Sequence, residues 1–209
     1  MSDTAFLIFD VLVLVFSVMI HEVSHGYIAE RLGDSTARHA GRLTLNPLRH
    51  IDPVGSVLLP AVLHFSGAPM FGWAKPVPYN PANLRDPVGG GAKIAAAGPL
   101  SNFLLAAVFG LLIRALFGTA SPQLLVLFAH ISLVNIWLGV FNLFPIPPLD
   151  GSKVLYAVLP RSQGSFEFVR FLEQYGFLIL IGLIFFMDLG PVLSPVVRFL
   201  FTLFAGDVL

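Results

Sequence analysis

Cysteine is absent from this chain. That excludes disulfides and thiolate metal sites and leaves histidine and carboxylate as the protein ligands a metal could find. Charge is scarce too: Asp, Glu, Lys and Arg make up 11% of the residues, less than half the share of roughly 25% usual in a soluble domain. The formal net charge is zero and no basic stripe runs along any segment, so nucleic acid is not an expected partner. The first apolar run lacks a basic flank, and polar residues stand where a secretory signal would carry a small-residue cleavage site. It is therefore read as a retained helix. No internal repeat, low-complexity tail or appended soluble domain is visible in the 209 residues.

Apolar residues are abundant, at 56% of the chain with 20 phenylalanines. They gather in blocks of bilayer-crossing length rather than in short alternating runs. Four blocks are long enough to span: Ala5–Glu30, Ala92–Phe117, Gln123–Phe144 and Phe166–Met187. A fifth, Leu189–Phe204, is interrupted by Pro191 and Pro195 and reads as a short span or an interfacial helix. Val54–Phe65 holds only about a dozen residues around Pro60, a length that favours a re-entrant piece. Between the first two spans, "GRLTLNP" alternates as a half-buried strand does, and "WAKPVPYNPANLRDPVGGG" is extended chain punctuated by proline. The expected architecture is an all-α polytopic membrane protein in a single membrane-embedded domain over residues 1–209. It has four to six transmembrane helices, a re-entrant segment, and a small β-strand region between the first and second spans.

Loop charge sets the orientation. If Val54–Phe65 does not cross, the loops Glu30–Asp52, Phe71–Lys93 and Asp150–Arg170 share one face and hold ten of the twelve Lys and Arg. The positive-inside rule prefers that arrangement, with the N-terminus outside and the far end of the first helix near the cytoplasm.

That far end carries "HEVSH". His21 and His25 are four residues apart, so on a helix they lie about 40° apart around the axis, one turn above the other. Two imidazoles so placed can bind a single zinc, with Glu22 on the flank as general base toward water. Titratable groups inside a span are expensive and default to a functional reading. Catalytic zinc needs a third protein ligand and an open position. Asp10 is three turns away on the same helix, His130 and Asp188 fall near outer ends of spans, and nothing pins His64 to the site. Asp150 stands out. It ends "FNLFPIPPLDG", where Pro145, Pro147 and Pro148 break the third span, and irregular chain at membrane depth is tolerated where it packs in protein or lines a cavity. Loop charge places this break and His25 on the same side.

Together these residues give the chain a resemblance to the site-2 protease family of intramembrane zinc metalloproteases. It rests on "HEVSH" in the first span, "NLFPIPPLDG" closing the third and "AAAGPLSN" in the second, with "GWAKPVPYNP" similar to compact prokaryotic members. The resemblance implies one zinc per chain held by His21, His25 and Asp150, with Glu22 as the base. It implies hydrolysis of membrane-spanning protein substrates within or near a lipid bilayer, here a prokaryotic inner membrane, and loop charge puts the site toward its cytoplasmic side. Larger relatives carry a PDZ or nucleotide-sensing domain that this sequence lacks. Asn142, eight residues before Asp150, is the expected donor to the developing oxyanion, and the resemblance favours it. Asn102 and Asn135 are read as interhelical packing residues among small neighbours, outside the catalytic set. Gly41–Leu45 is the expected edge strand that would pair with an unwound substrate. The rival readings are a zinc or proton transporter, which has no need of Glu22 beside the ligands and more often shows half-repeats, and a catalytically inactive scaffold.

Overall fold

A computed structural model describes residues 2–66 and 72–207. The helices, in chain order, are α1 (Asp3–Arg31), α2 (Thr36–His39), α3 (Leu59–Ser66), α4 (Pro87–Leu116), α5 (Pro122–Asn142), α6 (Asp150–Val158), α7 (Gln163–Phe186) and α8 (Gly190–Ala205). Their starts follow the usual chemistry of helix ends. Ser2, Asp86, Ser121 and Ser162 each accept a backbone N–H of the first turn, and Pro87 and Pro122 occupy positions where no amide hydrogen is needed.

Among the described residues, four helices are long and apolar enough to cross a membrane: Thr4–Arg31, Pro87–Leu116, Pro122–Asn142 and Gln163–Phe186. These are the four blocks expected from hydropathy. Side-chain placement also suits a lipid surround. Leu7, Ile8, Val11, Leu12 and Phe16 of α1 lie exposed, while the buried positions favour small or polar residues such as Ser17, Ala29, Ala106, Ala129 and Ser132. Small residues let membrane helices approach closely, so the bundle is held by packing and interhelical hydrogen bonds.

α4 is the central rod. It packs against α1, α5, α6 and α8. α8 closes the far end of the bundle, where Ala106, Ile136 and Val197 form one buried cluster and Ile113, Ala129 and Ala205 another. Thus the proline-interrupted fifth block forms one helix against the bundle, with Pro195 inside it.

Two expectations for the stretch between the first spans need correction. No strand is found among the described residues. "GRLTL" alternates for another reason. Gly41, at φ +63°, and Arg42 donate to Arg38 O and Ala37 O and so close the end of α2. Arg42 then turns inward, where its guanidinium donates to Lys75 O, and Leu43 packs over Gly26 of α1. The alternation records side chains packed on a helix and a loop, and no edge for a substrate exists at Gly41–Leu45. The second correction concerns Val54–Phe65. It forms a π-helical turn (Pro53–Leu58) continuing into α3, too short to count among the membrane-length helices, and a re-entrant course is not supported. The loop limit at Phe71 lies outside the described residues.

Candidate metal centre

α1 must carry both histidines on one face for a shared ligand, and it does. The rings of His21 and His25 lie 4.7 Å apart, edge to face, and both are buried. The third group comes from a different helix. α5 ends at Asn142, the chain turns through "LFPIPPL", and α6 begins at Asp150. The return is tight: a Cβ on Gly151 would collide with the backbone carbonyl of Leu143, so the residue after Asp150 has to be glycine for the turn to close. Asp150 Oδ2 then lies 3.0 Å from His21 Nε2 and 3.2 Å from His25 Nε2. Three donor atoms from two elements, 129 residues apart in sequence at the widest, converge on one point.

The donor chemistry fits zinc: two imidazole nitrogens and a carboxylate oxygen, with room in the count for a fourth, exchangeable position. Each ring is also held from behind through its other nitrogen. His25 Nδ1 donates to Ile94 O at 2.6 Å, and His21 Nδ1 lies 2.6 Å from Asn102 Oδ1. Both holds come from α4, and they leave the two Nε2 atoms facing Asp150. The space for the rings comes from α4 as well. A Cβ on Gly98 would lie 2.5 Å from His21 Nε2 and 2.6 Å from His25 Cε1, closer than real Cβ atoms come. Pro99 follows inside the helix, where its missing N–H interrupts the backbone ladder beside the rings.

Glu22 offers a carboxylate in the same cluster, since one ligand atom each from His21, Glu22 and His25 fall within 4.8 Å of one another. Asp150 nonetheless fits the third position better, because its oxygen meets both Nε2 atoms, whereas Glu22 Oε2 accepts the Val77 N–H at 2.8 Å. Val77 stands between Pro76 and Pro78, which have no amide hydrogen, so it supplies the sole backbone donor of that triplet. The extended segment is fastened on both sides of this contact: Arg42 donates to Lys75 O, and Tyr79 packs on Ala29, Leu84 and Ile94 with the Lys153 ammonium 5.0 Å from its ring centre.

The remaining sequence candidates separate cleanly. Asp10 and His130 meet each other, Oδ1 to Nε2 at 2.7 Å, and Phe6 and Phe9 flank the His130 ring. Asp188 accepts from Gly190 N at the start of α8. The side chain of His64 lies outside the described residues. Asn142 closes α5 with its amide donating to Leu138 O at 2.9 Å. Two residues that the sequence left as packing groups, Asn102 and Asn135, lie at the centre: Asn102 meets His21 and also donates to Asn135 Oδ1. The signal for Asn102 was its place one turn beyond Gly98 in "GPLSN"; no spacing marked Asn135. Val77 could not have been found, since a backbone donor leaves no mark on side-chain identity.

The sequence profile of Peptidase family M50 matches residues 118–183, which hold Asn142 and Asp150 but not "HEVSH". YwhC of Bacillus subtilis (strain 168), whose name places it provisionally among zinc metalloproteases, is 35% identical over 90% of this chain and 85% of its own. Zinc metalloprotease MJ0392 of Methanocaldococcus jannaschii is 26% identical over 84% of this chain, which spans 42% of that longer protein. Among solved structures, the site-2 protease from Methanocaldococcus jannaschii aligns at 25% identity and a TM-score of 0.46 over 94% of this chain and 74% of that one. With a relative as similar as YwhC along most of both sequences, the chain belongs to Peptidase family M50, the site-2 protease family of zinc metalloproteases.

Proposed function

We propose that His21, His25 and Asp150 are the zinc ligands of an intramembrane endopeptidase, with Glu22 its general base. The single observation that carries this reading is the meeting of Asp150 Oδ2 with both Nε2 atoms at 3.0 and 3.2 Å. When bound there, zinc supplies Lewis acidity toward water and the scissile carbonyl. Glu22 takes the proton from the attacking water and returns it to the leaving amine. Val77 N–H holds Oε2 of Glu22, which fixes the direction in which the carboxylate presents its other oxygen. Asn142 supplies the donor to the developing oxyanion once its amide leaves Leu138 O. The burial of His21 and His25 excludes bulk water, which strengthens each of these electrostatic contacts.

The substrate is a membrane-spanning protein or peptide, cut within or near the bilayer in regulated intramembrane proteolysis or in clearance of membrane remnants. Loop charge supports an inner-membrane orientation with the N-terminus outside and the zinc toward the cytoplasm. Purified parent and Glu22→Gln, assayed for zinc and for cutting of a membrane-spanning peptide, test the assignment. Metal in both with cutting by the parent alone is expected. Cutting by neither, with zinc flux into liposomes, would make the chain a transporter.

A further inference from the structure

Behind His21 lies a buried polar relay that the hydrolytic scheme does not use. Asn102 and Asn135 are 0% exposed, and Ser17 joins them between α1, α4 and α5. Asn102 Nδ2 donates to Ser17 O at 3.3 Å and to Asn135 Oδ1 at 2.9 Å. Asn135 Nδ2 donates to Ser17 Oγ and to Ile131 O, each at 2.9 Å. Three polar side chains would be costly in a bundle core without a reason to keep them, since each must be fully paired.

The pairing has a direction. A backbone carbonyl can accept and never donate. Ser17 O therefore requires the NH2 of Asn102 on its side, and Ile131 O requires the NH2 of Asn135 on its own. Each amide is thereby pinned against flipping. The Oδ1 of Asn102 is left facing His21 Nδ1, so that nitrogen must carry the hydrogen, and in the neutral ring that a metal requires the lone pair is then on Nε2, on the Asp150 side. His25 reaches the same state through Ile94 O, a backbone group no substitution can remove. His21 depends on a side chain.

We infer that Asn102 is a positioning residue of the metal centre: it holds His21 as the Nδ1–H tautomer with Nε2 directed at the metal, and Asn135 and Ser17 hold Asn102. This rests on the zinc assignment proposed above and adds to it which residues set ligand geometry.

The experiment measures zinc affinity of the purified full chain by chelator competition, together with its melting temperature, for the parent, His21→Ala, Asn102→Leu, Asn102→Asp and Ser17→Ala. Asn102→Leu is expected to weaken zinc binding about 10- to 100-fold, the range for loss of a partner behind a ligating histidine. Asn102→Asp keeps an acceptor oxygen toward His21 and, as the neutral acid that two facing acceptors require, still donates to Ser17 O or Asn135 Oδ1. It should recover part of that loss, and Ser17→Ala should cost the least. Nitrogen-15 spectra of histidine in the zinc-loaded parent should show the His21 proton on Nδ1. The inference is overturned if Asn102→Leu binds zinc within about twofold of the parent while His21→Ala does not bind. It is equally overturned if Leu and Asp at 102 lose affinity alike, or if the proton is on Nε2. A parent chain that binds no zinc would remove the metal assignment itself. Should Asn102→Leu fail to fold, the Asp variant and the parent spectrum decide.

Discussion

Among the described residues the bundle holds two histidine–aspartate meetings, and they differ in almost everything but residue type. At one end of α1, Asp10 and His130 form a single contact of 2.7 Å, with the Asp10 side chain 47% and the His130 side chain 25% exposed. Near its other end, Asp150 meets two imidazoles at once, its own side chain 14% exposed, and each ring is gripped again through its second nitrogen. A lone pair of this kind is an interhelical fastening. A metal centre needs convergence, burial and a second hold on each ligand. The difference is made mostly by α4, which contributes none of the proposed ligands yet supplies Asn102, the Ile94 carbonyl and the hollow at Gly98.

The sharpest way to break the contrast is therefore to fill that hollow. Gly98→Ala puts a methyl group against both rings, whose second nitrogens are tied to α4 and cannot simply swing aside. Zinc affinity should fall by about 100-fold or more, at least the upper end of what losing one supporting hydrogen bond costs, and peptide cutting should fall with it. Metal content after dialysis against a chelator measures this. A smaller, cleaner effect is expected from Val77→Pro, which deletes the N–H that holds Glu22 and leaves the ligands alone. Turnover should drop by about 10- to 100-fold, a part of what general base catalysis contributes, while bound zinc stays at the parent level. If zinc is lost as well, the 72–80 segment supports the metal site and not the base.

Next in size is the anchor that fastens this segment to α1. Asp34 is fully buried and accepts from Thr36 N and Oγ1, Asn80 N and Asn83 Nδ2. Burial pushes its pKa up, but the hydrogen bonds from Thr36, Asn83 and Asn80 outweigh burial and hold it below the usual carboxylate value. A group whose folded pKa is depressed lends stability that is present above its unfolded pKa, about 3.9, and is lost as pH falls through the lower folded value. The parent should therefore lose melting temperature in detergent below about pH 4 more steeply than Asp34→Asn. At neutral pH, Asp34→Ala should cost about 1–3 kcal/mol, the penalty for stranding buried donors.

Much of this could be read from the sequence, and the limits have physical causes. The four spans were legible because a bilayer imposes a length on apolar runs. The clustering of His21, Glu22 and His25 was legible because helical spacing fixes their relation, and the approach of Asp150 to the two rings because prolines rarely break a span without a reason. What stayed hidden depends on contacts between elements. Gly98 looked like one more small packing residue, and only the rings lying against it show why alanine will not serve. Asn102 and Asn135 were indistinguishable from helix-to-helix hydrogen bonds until their partners were known. The strand expected at Gly41–Leu45 failed because alternation alone cannot tell a sheet edge from a cap followed by an inward arginine.

The smallest effect belongs to the pair at the opposite end. Replacing His130 by Phe removes the contact to Asp10 but keeps an aromatic ring between Phe6 and Phe9. Hydrogen bonds between membrane helices average about 0.6 kcal/mol, since the separated helices find other partners. Stability should fall by about that amount, zinc content should not change, and cutting of a membrane-spanning peptide should match the parent. The same result is expected for Asp10→Asn, because its three helical turns from His21 leave no direct route to the metal. A loss of cutting with zinc retained in both variants would mean that the outer pair governs how substrate enters between α1 and α5, and the separation of fastening from chemistry drawn here would fail at that point.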